Sequence, residues 1–240
     1  MSTVEVSRTD SVAHVWFNRP ESLNAVNAVL VDDLLTALDE VAKADIGAVV
    51  LAGRGRAFCA GHDLKEPTPG GDSRARLERL QEVTRRLRTL PPVIAAVHGY
   101  AIGAGAEFAL GCDLILAAED AVFSFPETGL GLSVTGGASR LLPQLVGPLK
   151  AKELVLLGER IDARKAAELG LVNAVFADVL AAASDWAHRI AARPSVTLAK
   201  RALDTDTGLD AALELEISHA LITENTPEVA RAAEDFRSRG

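Results

Sequence analysis

Two glutamates stand out by their surroundings. Glu107 lies in the run Ala104-Gly-Ala-Glu-Phe-Ala-Leu-Gly111, and Glu127 ends the run Phe123-Ser-Phe-Pro-Glu127. A carboxylate taken into an apolar setting is costly unless it finds a partner. Burial also lifts a glutamate from its free pKa of about 4.3 towards neutrality, the range useful for general acid–base work. Either acid alone could equally be a structural carboxylate bonded to backbone amides. As a pair, each flanked by apolar residues and glycine turns, they point to proton transfer.

Two glycine-containing loops could supply the electrostatic partner of such chemistry. They are Arg56-Ala-Phe-Cys-Ala-Gly-His-Asp-Leu-Lys65 and His98-Gly-Tyr-Ala-Ile-Gly-Ala-Gly-Ala-Glu107, and each follows an apolar strand. Ligands of open α/β sheets bind beyond the carboxyl ends of the strands. Small residues let backbone approach a ligand, and a helix that begins there offers free N–H groups. Two such loops meeting in space would present two donors to a developing oxyanion, and losing one typically costs roughly 2.7–4 kcal/mol of transition-state stabilisation. The same glycines would also serve tight turns and close packing alone.

Other chemistries fit less well. Gly103-x-Gly105 meets Phe108 where a dinucleotide fingerprint needs glycine, and Gly53-x-Gly55 arrives at Phe58. Gly131-Leu-Ser-Val-Thr135 resembles a nucleophile elbow, with Thr135 in place of its last glycine. Cys59 and Cys112 read as buried reduced thiols without metal-ligand spacing, so no metal site is expected. His14 is expected to point outward from a strand. His188 and His219 belong to helices as surface or packing residues. His62 matters more for its backbone than for its ring.

The elements that must position these residues alternate. Two short strands end in Val12–Phe17, and a helix from Asn27 to Ala44 sets Leu30, Leu34, Leu38 and Val41 on one face. The strand Ala48–Ala52, a surface loop at Glu66–Asp72, and a helix from Ser73 to about Leu90 follow, with Leu77, Leu80, Leu87 and Leu90 inward. Then come the strand Val93–Val97, a helix Ala104–Gly111 and the strand Leu114–Ala117. This alternation implies α/β architecture with parallel pairing. Beyond Gly137 the pattern is almost wholly helical: Gly137–Val146, Pro148–Leu157, Ala163–Leu169, Ala177–Ala192, Val196–Leu203, Leu209–Thr223 and Pro227–Arg237. An α/β body would therefore pass into a helical C-terminal portion near residue 190.

Composition narrows the function class. A chain of 240 residues with 48% hydrophobic and 24% charged residues suits one medium globular domain. A net charge of -8 argues against a nucleic-acid or anionic-membrane partner, though a local basic cluster could still hold a polyphosphate. Met1 to Asp10 lacks the basic start and apolar stretch of a secretory signal, and no apolar run approaches a membrane span of about 20 residues. A cytoplasmic location is expected.

Several of these segments, in this order, resemble the enoyl-CoA hydratase/isomerase, or crotonase, family. They are Phe17-Asn-Arg-Pro-Glu-Ser-Leu-Asn24, Ala57–Lys65, Gly99–Glu107, Cys112-Asp-Leu-Ile-Leu-Ala117, Phe125-Pro-Glu-Thr-Gly-Leu-Gly131 and Ile161–Asn173, so the likeness spans nearly the whole chain. The resemblance implies a spiral of ββα repeats over residues 1–190 carrying an acyl-CoA site. It also implies a helical region over 191–240 that drives assembly into a homotrimer or dimer of trimers. The family's oxyanion-hole donors would be the N–H groups of His62 and Ala104. Arg19, Arg56, Ala60, His62, Asp63, Leu64, Lys65, Ala104 and Gly105 would line the substrate site, and Arg56 and Lys65 would meet the CoA phosphates, with Arg19 and Arg54 as further candidates. No cofactor is implied beyond coenzyme A as part of the substrate.

Glu107 and Glu127 stand twenty residues apart, as the two glutamates of family hydratases do. The implied reaction is addition of water to a 2-enoyl-CoA, with Glu107 deprotonating water and Glu127 protonating the α-carbon. The alternatives are double-bond isomerisation, hydrolase or lyase chemistry on a CoA thioester, and a catalytically silent CoA-binding subunit. Two positions depart from the hydratase pattern. Ala104 replaces a glycine, and Ser133-Val-Thr-Gly-Gly-Ala138 replaces a Pro-Gly-Ala-Gly-Gly-type turn that helps to place the water.

Overall fold

Strands β1 (Val4–Thr9) and β2 (Val12–Phe17) open the chain, and α1 (Ala28–Ala42) follows. Asn27 caps α1, its side chain accepting from the Leu30 N–H at 2.9 Å. Next come β3 (Ala48–Gly53) and α2 (Ser73–Thr89), which ends just before Pro91. β4 (Val93–Val97), β5 (Tyr100–Ile102), α3 (Ala104–Gly111), β6 (Leu114–Ala118) and β7 (Val122–Ser124) continue the alternation. The chain then passes through α4 (Ala138–Val146), α5 (Pro148–Leu157), β8 (Ile161–Asp162), α6 (Ala163–Glu168), β9 (Ala174–Phe176), α7 (Val179–Ala191) and α8 (Val196–Asp204). This is the computed structural model, which describes residues 2–65, 73–205 and 218–219.

From β4 onward the chain contributes strands to two sheets. The large sheet has six strands in the order β1-β2-β3-β4-β6-β9, parallel throughout except for β1 against β2. A smaller sheet, β5-β7-β8, runs beside it, extended by a parallel bridge from Cys59 to Ala101. The result is a spiral of strand, strand, helix units, as expected.

β3 and β4 are buried at every residue, which explains their unbroken apolar sequences. Alternate residues feed separate cores. Val15, Val49, Leu51, Ala95 and Ile115 pack with α1, α2 and α3. Val12, Val50, Ile94 and Leu116 pack with Val179, Ala183 and Ala187 of α7. Ala183 and Ala187 of α7 have no exposed surface, so the helix lies close on the sheet.

Four sequence expectations need correction. His14 does leave the first core, but α7 covers that face, and His14 is half-buried with Nε2 2.9 Å from Ser184 Oγ. Leu77, at the start of α2, is 36% exposed, and the inward face is Leu80, Val83, Leu87 and Leu90. The region after Gly137 is not almost wholly helical: β8 and β9 lie within it, and β9 joins the large sheet beside β6. β5, expected as part of a glycine-rich turn, is a paired strand. These strands have two or three residues, too few to show a period.

α8 is fastened to the body by Lys200, whose Nζ lies 2.6 Å from both oxygens of Asp113. Arg88 pairs with Asp204 at its end. The expected loop Glu66–Asp72 and most of the expected helices Leu209–Thr223 and Pro227–Arg237 lie outside the described residues. Among the described residues no helix is long and apolar enough to cross a membrane.

Candidate active site

The two glycine loops do meet. The Val26 N–H donates to Gly61 O at 2.7 Å, and the Asp63 N–H donates to Val26 O at 2.9 Å. In such a parallel bridge the N–H of His62 itself faces away from Val26. On the other side, Cys59 exchanges hydrogen bonds with Tyr100 O and the Ile102 N–H. Gly61, at φ +89°, lies so close to the β5–α3 turn that a Cβ there would sit 2.7 Å from Ile102 O and 3.9 Å from Ala104 N. A Cβ on Gly105 would sit 2.2 Å from Cys59 O. Only glycine permits this approach.

Ala104 is the first residue of α3, so its N–H has no intrahelical acceptor. Among the described residues neither it nor the His62 N–H donates to a protein acceptor.

Glu107 follows one turn later on α3, where all eight residues are buried, and it is 1% exposed. Thr135 holds both carboxylate oxygens: its main-chain N–H donates to Oε1 at 2.5 Å and its hydroxyl to Oε2 at 2.6 Å. Thr84 of α2 anchors this loop by donating to Gly136 O at 2.9 Å. Desolvation raises the Glu107 pKa, and the two bonds from Thr135 oppose the rise.

Glu127 begins a short 3-10 turn, Glu127–Leu130, directly after Pro126. It is 9% exposed, and its Oε2 is buried without a hydrogen-bond partner among the described residues. Desolvation raises its pKa most. Its own N–H lowers it and the charge of Glu107 raises it further, so the carboxyls act on each other. Glu127 thus lies against Gly103, the residue before α3, and Glu107 in the first turn of that helix.

The remaining expected site residues divide. Arg19 and Asp63 face each other, with Arg19 Nη2 2.9 Å from Asp63 Oδ2 and Nη1 donating to Ala25 O. Desolvation and its partners compete at Asp63, and the bond from Arg19 holds its carboxyl below the ordinary range. Both residues brace the loop that carries His62. Buried Asn24 braces it too, donating to Arg54 O at 2.9 Å and Ala57 O at 2.7 Å while accepting from the Arg19 N–H at 2.8 Å.

Ala60 is half-buried, and His62, Leu64, Lys65 and Arg56 are exposed. Arg56 lines a small hollow with Leu23, Tyr100 and Asp120. Arg54 stacks on Trp16, its guanidinium carbon 3.9 Å from the ring centre, and bonds Glu5. A hollow of about 660 Å³ lies by Trp16, His98 and the N-terminal end of α7 and is lined by neither glutamate. Sequence reasoning missed Thr135, Asn24 and Thr84 as supports. Their contacts span 28, 33 and 52 residues, and the available signal was a hydroxyl beside the glycines that follow a buried acid.

Comparison with known proteins bears on the fold and the family. The family model described as enoyl-CoA hydratase/isomerase matches residues 7–234. A protein of Rhizobium meliloti (strain 1021) named "Probable enoyl-CoA hydratase" is 36% identical over 256 residues, covering 99% of this chain and 98% of that one. The crystal structure of an enoyl-CoA hydratase from Bacillus anthracis has a TM-score of 0.93 at 32% identity, covering 99% of this chain and 96% of the other. That of an enoyl-CoA hydratase from Thermoplasma volcanium GSS1 has a TM-score of 0.91 at 31% identity, covering 98% of each chain. A spiral of this topology and likeness along nearly its whole length place the chain in the enoyl-CoA hydratase/isomerase family.

Proposed function

We propose that this enzyme adds water to the double bond of a 2-enoyl-CoA. The observation that carries the reading is the pair of buried glutamates at the start of α3, Glu127 against Gly103 and Glu107 in the first helical turn, with one oxygen of Glu127 buried and unbonded among the described residues. The thioester oxygen would accept from the N–H groups of His62 and Ala104, which would stabilise the enolate as it forms. Glu107 removes a proton from water while the water oxygen bonds to the β-carbon. Glu127 gives its proton to the α-carbon, so the product carries one added H and one added OH. Exchange with solvent restores both acids. The reaction needs no cofactor, since coenzyme A belongs to the substrate.

Ala60, His62, Asp63, Leu64, Lys65, Ala104 and Gly105 would border that substrate, with exposed Lys65 and Arg56 near its phosphates. A homo-oligomer, a trimer or dimer of trimers built with residues 191–240, fits the exposure of Leu149 at 82%, Leu156 at 67% and Leu203 at 87%. Sedimentation would measure its mass. A cytoplasmic location fits the two buried free cysteines.

The direct test is loss of the conjugated enoyl-thioester absorbance when purified enzyme meets crotonyl-CoA and longer homologues. Absence of turnover at every chain length rejects hydration. One observation favours a second reading. Thr135 occupies both oxygens of Glu107 and leaves Glu127 as the acid with an open one, which suits double-bond isomerisation by a single acid. Conversion of a 3-enoyl-CoA that survives Glu107→Gln would establish that reading instead.

A further inference from the structure

The loop over the acids treats them unequally. Glu107 receives two donors from one residue, whereas Oε2 of Glu127 receives none among the described residues. A carboxylate that accepts hydrogen bonds is stabilised in its charged form, and two buried carboxyls side by side resist a second charge. We propose that Thr135 is the positioning residue that decides which acid holds the proton: its N–H and hydroxyl keep the negative charge on Glu107, and the proton rests on Glu127.

The geometry leaves Thr135 little freedom to do otherwise. Gly136, at φ +54°, lies so close to Glu107 that a Cβ on it would be 2.8 Å from the acid's own Cβ. The Ala138 N–H donates to Thr135 O at 2.8 Å, and α2 contributes the neutral hydroxyl of Thr84 to the same loop. Leu141 of α4 lies against the adjacent Gly137. From the turn after β7 the ionisable neighbour is Glu127, whose titration is raised by the charge of Glu107. The order of proton release therefore follows the donors, with Glu107 first and Glu127 second.

This inference rests on the two-acid reading of the site and deepens it. The distribution it describes is the one hydration needs before each turnover, a charged base for water and a loaded acid for the α-carbon. Both change on losing one hydroxyl, although Thr135 need touch no substrate.

The test combines two readouts. Thr135→Val keeps the shape and the main-chain donor but removes the hydroxyl, and Thr135→Ser restores it. With crotonyl-CoA, Thr135→Val should move the acidic limb of kcat/KM upward by about one to two pH units. It should also lower kcat at neutral pH by about tenfold while KM changes less than about twofold. Thr135→Ser should regain the parent profile. An acidic limb in Thr135→Val identical to that of the parent overturns the proposal.

Carboxyl-carbon NMR of glutamate-labelled enzyme, assigned with Glu127→Gln, reads the same property without turnover. Glu107 should titrate below Glu127 in the parent, and its midpoint should rise in Thr135→Val. The reverse order in the parent overturns the proposal even if no valine variant folds. Parent enzyme that hydrates no enoyl-CoA would sink the hydratase reading alone, and the NMR order would still decide the role of Thr135.

Discussion

Gly103 and Glu127 are in direct apposition: a Cβ on the glycine would lie 2.9 Å from Oε1 of the acid. Gly103 also has φ +52° and ψ -120°, outside the left-handed helical region, a backbone conformation that costs an L-residue about 1–3 kcal/mol. Gly103→Ala should therefore strain the entry to α3 and displace the carboxyl. The expected result is a kcat at least about 100-fold lower, with a loss of about 1–3 kcal/mol in denaturant unfolding. Unchanged kcat in a folded variant would show that the acid needs no fixed seat.

Glu127 should weaken the fold that holds it. Its pKa lies above the ordinary 4.5, chiefly because burial penalises the charged form. Between that ordinary value and the raised folded value, the unfolded chain has released the proton while the folded protein retains it. Stability thus falls as pH rises through that window. Glu127→Gln removes the loss, so its stability advantage over the parent should grow with pH across the window and persist above it. Urea unfolding at several pH values reads this directly, and an advantage that shrinks with rising pH contradicts it. Hydration by Glu127→Gln should fall by about 10²–10⁴-fold.

Arg19→Met should loosen the loop that presents the His62 amide. It leaves Asp63 without its ion-pair partner and Ala25 O without its donor. The expected cost is about 1–3 kcal/mol of stability, with kcat reduced more than KM is raised. A rise in KM alone, together with weaker protection by inorganic phosphate or free CoA, would assign Arg19 to phosphate binding instead.

Lys200→Met should detach α8 from the body. Asp113, which also accepts from the Val93 N–H at 2.7 Å, would be left as a buried charge without its counter-ion. Breaking one side of such a pair costs about 3–5 kcal/mol. Adding Asp113→Asn to Lys200→Met should recover part of that loss. No recovery in the double variant would mean that the lysine acts through its aliphatic stem.

The parts legible in the sequence were those that repeat a local physical pattern. β3 and β4 are apolar throughout because both faces are covered, and α1 shows its inward stripe of Leu30, Leu34, Leu38 and Val41. Glu107 and Glu127 were legible because charged groups in apolar runs are rare. The hidden parts depend on distant segments. β5, β8 and β9 exist through pairing rather than pattern, and His14 is covered only because α7 returns over the sheet. Thr135 read as a departure from a turn motif, and its bond to Glu107 needed the loop to fold back over α3. The ion pair of Arg19 with Asp63 was hidden because its sequence neighbours cannot reveal a partner 44 positions away.

α3 carries the Ala104 amide and the Glu107 carboxylate on a single buried segment of eight residues. Three residues of helical rise separate them by about 4.5 Å along the axis. With no solvent-facing side, the segment has no easy direction in which to tilt or unwind. Thermal motion would carry the two groups together, so under the proposed hydration the gap between the carbonyl-polarising amide and the proton acceptor would behave as a built-in ruler. Variation elsewhere in the chain can reshape what the enzyme admits while that ruler keeps its length.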